Sequence, residues 1–89
     1  MPTSDMEVAA NQLRPEDFDV DLEERRVTHR PSHIVVSFYE YTNEDDWRRS
    51  DSATLRDNPA WRGDRSELAG AAKAAAVAKG MTAQKPKHH

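Results

Sequence analysis

Four carboxylates at alternate positions could do chemistry together: Asp17, Asp19, Asp21 and Glu23. Because alternation is the period of a β-strand, these side chains would lie on one strand face, about 7 Å apart. That spacing could hold a hard cation such as Ca²⁺, but the glycine and the distal glutamate of a calcium-binding loop are missing. We therefore predict a solvent-exposed surface, called the acidic row below, and no metal site.

Histidine and serine residues near the middle of the chain could bind zinc or act in catalysis. His29 and His33 have the four-residue spacing that binds zinc on a helix, but Pro31 lies between them and disfavours a helix. In an extended chain the two rings would be roughly 13 Å apart, too far to share a metal ion. Ser32 beside His33 lacks the orienting third group of a catalytic pair. The chain also has no cysteine. We therefore predict no catalytic, metal-binding or cofactor-binding residue, and we expect that the protein is not an enzyme.

Aromatic and cationic side chains occur together between residues 47 and 65, and five of them form the alternative candidate site: Trp47, Arg48, Arg49, Trp61 and Arg62. Rings interleaved with guanidinium groups are typical of single-stranded nucleic-acid binders. Six carboxylates between residues 44 and 64 would repel phosphate, however. Both tryptophans could instead cover a small core, and we favour that interpretation.

Periodicity predicts the elements that position these residues. A capping-box spacing at Ser4 begins a helix over about 5–13, and the alternation described above predicts a strand over about 17–23. Val27 and Thr28 fit the start of a further strand before Pro31, and a strand over about 32–42 has the strongest β pattern. In that last strand the side chains expected to face the core are Ile34, Val36 and Phe38.

After residue 43 the pattern becomes helical. Asn43 can cap a short helix, and the run Asp57-Asn58-Pro59 suggests a second helix start. Asp64 has capping-box spacing with Glu67 and opens the longest helix, about 65–79, with Gly80 at its left-handed C-terminal position. Residues 81–89 are predicted to form a basic, disordered tail.

These elements predict one small α+β domain over residues 1–80. Its antiparallel sheet would have two to three strands within about 17–42, with helical segments covering one face. Only 36% of the 89 residues are apolar, so the core should be thin. Because a two-stranded sheet is only marginally stable, we expect pairing with a protein partner or in a homodimer.

Charge distribution completes the functional hypothesis. Residues 1–24 contain eight carboxylates and one arginine, whereas residues 66–89 contain four lysines and one glutamate. Without a secretory signal or a long apolar run, we expect a cytoplasmic protein, and the alanine- and arginine-rich composition is typical of GC-rich bacterial or phage genomes. The leading hypothesis is a non-enzymatic protein-interaction module, such as a regulator, inhibitor or accessory subunit, that binds through the acidic row and a free sheet edge. The alternative is single-stranded nucleic-acid binding through segment 47–65, and no membrane partner is expected.

Overall fold

A four-stranded antiparallel sheet organises the chain in a computed structural model, which describes residues 13–50 and 52–85. A 3-10 turn at Pro15–Asp17 precedes the elements β1 (Phe18–Asp21), β2 (Arg26–His29), β3 (Ile34–Phe38), α1 (Glu44–Arg49), β4 (Ala53–Arg56) and α2 (Arg65–Ala78). The strands lie in the order β1-β2-β3-β4, each paired with its neighbour in sequence. The α+β class and the antiparallel pairing predicted from the sequence are therefore confirmed.

Strand register explains which side chains form the core. Val20, Val27, Val36 and Leu55 occupy one row across all four strands, and neighbours in a row point to the same face. As expected, the β3 side chains Ile34, Val36 and Phe38 are buried. The intervening residues of the four strands face the opposite side of the sheet, which is called the open face below.

Helix α2 covers the core face at β1 and β2. Its side chains Leu68, Ala72 and Ala76 repeat every four residues and are fully buried. The Asp64 carboxylate caps the helix by accepting hydrogen bonds from the backbone N–H groups of the first turn. The predicted C-terminal position is also confirmed, because Gly80 has a φ of 101°.

Helix α1 anchors the end of β3 to the core. Asn43 caps it as predicted, with its side chain accepting a hydrogen bond from the Asp46 N–H at 2.8 Å. Trp47 projects from α1 and meets the Phe38 ring edge-on, with 5.7 Å between ring centroids. A six-residue helix is not stable alone, so this contact helps to hold α1 against the core, as does the Ala83 N–H that donates to the Glu44 carboxylate.

Strand β4 corrects the prediction of two to three strands followed only by helical segments. Ala53 and Leu55 alternate with Thr54 and Arg56, but four residues give too short a pattern to separate strand from loop. Pairing with β3 decides the conformation. The predicted helix start at Asp57-Asn58-Pro59 is wrong as well: this segment forms a turn outside any helix, and the Asn58 side chain accepts a hydrogen bond from the Ala60 N–H.

At the N-terminal end, the helix predicted over 5–13 lies outside the described residues except for Leu13. At the C-terminal end, the structure differs from the predicted disordered tail. Residues 81–85, predicted as the start of a tail, pack against the domain: Met81 and Ala83 are buried, and the Ala83 carbonyl accepts a hydrogen bond from the Tyr41 N–H at 2.7 Å. Within the described ranges, no helix is both long enough and apolar enough to cross a membrane.

Candidate functional site

The acidic row is divided among three local structures. Asp19 and Asp21 are exposed on β1, whereas Asp17 belongs to the preceding 3-10 turn and Glu23 to the turn after the strand. The cause is the length of β1, which has only four residues. Two carboxylates, rather than four, therefore share the strand face.

The open face is acidic at β1 and basic at β4. From β1 to β4 its strand residues are Asp19, Asp21, Arg26, Thr28, Val35, Ser37, Thr54 and Arg56. Asp21 is paired in register with Arg26, and Asp19 forms an ion pair of 3.4 Å with Arg30. More than half of each side chain in that ion pair is exposed, so water and salt screen the attraction and it contributes little to folding.

Tyr39 is a large aromatic side chain on the same open face. It follows Ser37 by two residues, and its hydroxyl lies 2.8 Å from the Thr54 hydroxyl. With 54% of its surface exposed, the ring can contact a partner without any rearrangement of the core.

Trp47, from the alternative candidate site, is a core residue. Only 2% of its surface is exposed. The Arg25 guanidinium carbon lies 4.8 Å from the ring centroid and the Lys73 ammonium 4.2 Å from it. The cation–π contacts of Trp47 are therefore made within the protein.

Trp61, the second tryptophan of that site, is also buried, with 7% of its surface exposed. The Arg65 guanidinium lies 5.2 Å from its ring centroid. A Cβ added to Gly63 would stand 2.2 Å from the ring, so the glycine is what allows the loop to approach Trp61. The structure thus confirms that both tryptophans cover the core, while Arg48, Arg49 and Arg62 remain exposed.

Arg25 is an important residue that the sequence did not reveal. Its side chain is buried, and its guanidinium donates hydrogen bonds to the backbone carbonyls of Phe38 (3.3 Å), Tyr39 (2.9 Å) and Thr82 (2.5 Å). Burial lowers the pKa of Arg25, and Glu40 and Glu44 partly oppose that effect. Its φ of 55° lies in the left-handed region that favours glycine. Nothing in the charged run Glu24-Arg25-Arg26 distinguishes this arginine from its neighbours.

His29 and Ser32 form a buried pair that the sequence analysis did not foresee. The His29 Nδ1 atom lies 2.7 Å from the Ser32 hydroxyl, and the imidazole is packed between Phe18 and Trp61. Both side chains are almost completely inaccessible to solvent. The Ser32 carbonyl also accepts a hydrogen bond of 2.7 Å from the Asn58 side chain. The pair therefore joins the β2–β3 turn to the loop before α2, which is a structural role.

The His29 ring also has an unsatisfied atom. Its Nε2 has no hydrogen-bond partner in the part of the chain that the structure describes. Burial lowers the pKa of His29, and the Asp17 carboxylate opposes this effect. Because a buried charge without a partner is costly, the neutral imidazole is the form that the folded protein favours.

A groove lies between β4 and the N-terminal half of α2, with a volume of about 450 Å³. Phe38 and Leu55 provide its apolar surface, and α2 contributes Arg65, Ala69, Gly70 and Lys73. The two cations lie toward opposite ends of β4. Arg65 donates a hydrogen bond to Asp57 after the strand, and Lys73 donates to the Ser50 carbonyl before it. The groove thus has an apolar centre and a cationic side chain at each end, of which Arg65 is ion-paired with Asp57.

The described ranges contain no cluster of three or more histidine, cysteine, aspartate or glutamate side chains placed to hold a metal ion. The chain matches no family model, and comparisons with curated proteins and with solved structures give no significant match.

Proposed function

We propose that this chain is a non-enzymatic protein-interaction module, a regulator, inhibitor or accessory subunit, that binds a protein partner through its sheet. The observation that carries the proposal is the position of Asp19 and Asp21. They are exposed on an edge strand that pairs, among the described residues, only with β2. An edge strand offers backbone hydrogen-bonding groups as well as side chains to a partner.

The partner surface that fits β1 is basic. Asp19 and Asp21 give this strand a negative potential, which Arg30 and Arg26 partly offset; what remains would accelerate association with a cationic surface and disfavour acidic ones. The same charges disfavour a homodimer through β1, because an antiparallel pair of two β1 strands would place aspartates close to aspartates. A different protein therefore suits this edge better than a second copy does.

Nucleic-acid binding is supported less well. Both tryptophans of segment 47–65 contribute to the core, so they cannot stack on bases unless the domain opens. Exposed Arg48, Arg49 and Arg62 could still contact phosphate, but contacts without stacking give affinity that is weak and unselective.

The test neutralises the two carboxylates with little change in shape. We expect the double variant Asp19→Asn, Asp21→Asn to keep the fold and to bind partners from host lysate about three- to tenfold more weakly at low salt. Its binding should also depend less on salt concentration. Glu67→Gln on α2 removes one exposed carboxylate away from β1 and is the matched control. Unchanged recovery and salt dependence of every partner with the double variant would eliminate the β1 surface.

A further inference from the structure

We propose that the groove between β4 and α2 binds an extended, acidic peptide segment of a partner protein, which adds to the sheet as a fifth strand beside β4. The proposal rests on the proposed function, since it specifies a second site through which the sheet would recognise proteins. It differs from the β1 surface in charge and position, and it commits to the opposite partner chemistry.

The sheet leaves β4 available for strand addition. β4 is the last strand of the sheet, and among the described residues it pairs only with β3. A strand added beside it would lie about 4.8 Å away and would direct alternate side chains toward the core face, where the groove is. Backbone hydrogen bonds would supply affinity, and the groove would select the side chains.

Gly70 leaves room for a peptide to approach α2 closely. It lies in the middle of a 14-residue helix, where glycine is less favourable than alanine. A Cβ built on Gly70 would meet no heavy atom of the described chain within 4 Å beyond its own stretch of helix. The packing of the described chain therefore does not require this glycine, and its missing side chain leaves space on the helix surface that lines the groove.

Charge determines the class of peptide. Two lining residues, Arg65 and Lys73, are cations, and none is a carboxylate. Arg65 already forms an ion pair with Asp57 and Lys73 donates to the Ser50 carbonyl, so a peptide carboxylate would have to share or replace these contacts. They lie eight residues apart on α2, which corresponds to about 12 Å along the helix axis. In an extended peptide, positions i and i+4 are about 13 Å apart and point to the same face. The complementary peptide has a carboxylate at each of those positions and an apolar side chain at i+2, against Leu55.

A synthetic peptide provides the direct probe. The capped peptide Ser-Glu-Thr-Val-Thr-Glu-Ser would be titrated into the full chain and followed by amide chemical shifts. We expect saturable shifts concentrated in residues 53–56 and 65–73. The matched peptide with glutamine in place of both glutamates should bind at least about fivefold more weakly at low salt. A third peptide, with lysine in place of both glutamates, should not bind measurably.

Gly70→Ala separates a binding role from a structural one. The added methyl group should raise the melting temperature through helix propensity, yet it should weaken binding of the glutamate peptide several-fold by narrowing the groove. Val77→Ala is the matched control, because Val77 is an exposed position on the same helix and does not line the groove. That variant should bind the peptide as the parent chain does.

Three results would overturn the proposal. They are equal binding of the glutamate and glutamine peptides, undiminished binding by Gly70→Ala, and concentration-dependent shifts at residues 53–56 without peptide, which would assign the groove to a second copy. If the double variant at Asp19 and Asp21 loses its partners and one of these three results is also obtained, the proposed function stands and only the groove is rejected. If the groove binds the peptide but the double variant keeps every partner, the β1 surface is rejected instead.

Discussion

The two halves of the core face are built differently although they belong to one sheet. Under α2, the side chains of Val27 and Leu68 are completely buried. Beside β4, by contrast, Leu55 is only half-buried and borders a groove. The difference shows how a chain with few large apolar residues distributes them: the half under α2 is closed, whereas the half beside β4 is bordered by a groove.

Matched leucine substitutions test this comparison most strongly. Leu68→Ala removes a fully buried side chain and should lower the free energy of unfolding by about 3–5 kcal/mol, enough to unfold much of so small a domain. Leu55→Ala should cost less, about 1–2 kcal/mol, because that side chain is partly exposed and its removal leaves a smaller cavity. Urea denaturation of both variants provides the measurement. Equal losses would mean that the groove is closed in solution.

Arg25 gives the next largest effect, and it concerns the region where β3 ends beside Trp47. Arg25→Met should lower the free energy of unfolding by about 3 kcal/mol, since three carbonyls lose their donor and the ring of Trp47 loses a cation. Arg25→Lys keeps the charge but cannot reach all three carbonyls, so it should recover only part of the loss. Full recovery by lysine would show that charge alone, rather than the forked geometry, holds this region together.

Much of the fold follows from local pattern, and Arg25 illustrates the part that does not. The α2 boundaries follow from Asp64 and Gly80, which act on adjacent backbone. β4 depends instead on pairing with β3, and local residues do not encode it strongly. Arg25 contacts Thr82, 57 positions later in the chain. No pattern within a short window could indicate that contact.

The candidate site shows the same division. Exposure of Asp19 and Asp21 follows from strand alternation, so it could be predicted. The His29–Ser32 pair requires a turn in which His33 has a φ of 60°, and the packing of Trp61 over that turn. The groove requires β4 and α2 to be placed side by side. The exposure of a strand face could therefore be predicted from strand period, whereas arrangements that depend on tertiary placement could not.

Acid should weaken the α2-covered half through His29. The pKa of His29 in the folded protein lies below the ordinary value of 6.5. As pH falls below about 6.5, the unfolded chain binds a proton that the folded chain does not, and the free energy of unfolding decreases by at most about 1.4 kcal/mol per pH unit. The loss ends once pH passes below the folded pKa.

His29→Gln isolates this contribution, because glutamine does not titrate. We expect the stability difference between the parent chain and His29→Gln to shrink between pH 7.5 and 5.5, measured by urea denaturation at each pH. Contributions from the carboxylates largely cancel in that difference. A difference that stays constant over this range would show that the imidazole can be protonated without leaving the core.

Tyr39→Phe should have the smallest effect, because it changes the open face rather than either half of the core. Removing the hydroxyl breaks an exposed hydrogen bond to Thr54, so the free energy of unfolding should change by less than about 0.5 kcal/mol. Light scattering at the same protein concentrations tests whether a second copy covers this face. A mass near 10.1 kDa together with the small change would show an open face that is free in solution. A larger loss that grows with protein concentration would instead place Tyr39 in an interface between two copies of the chain.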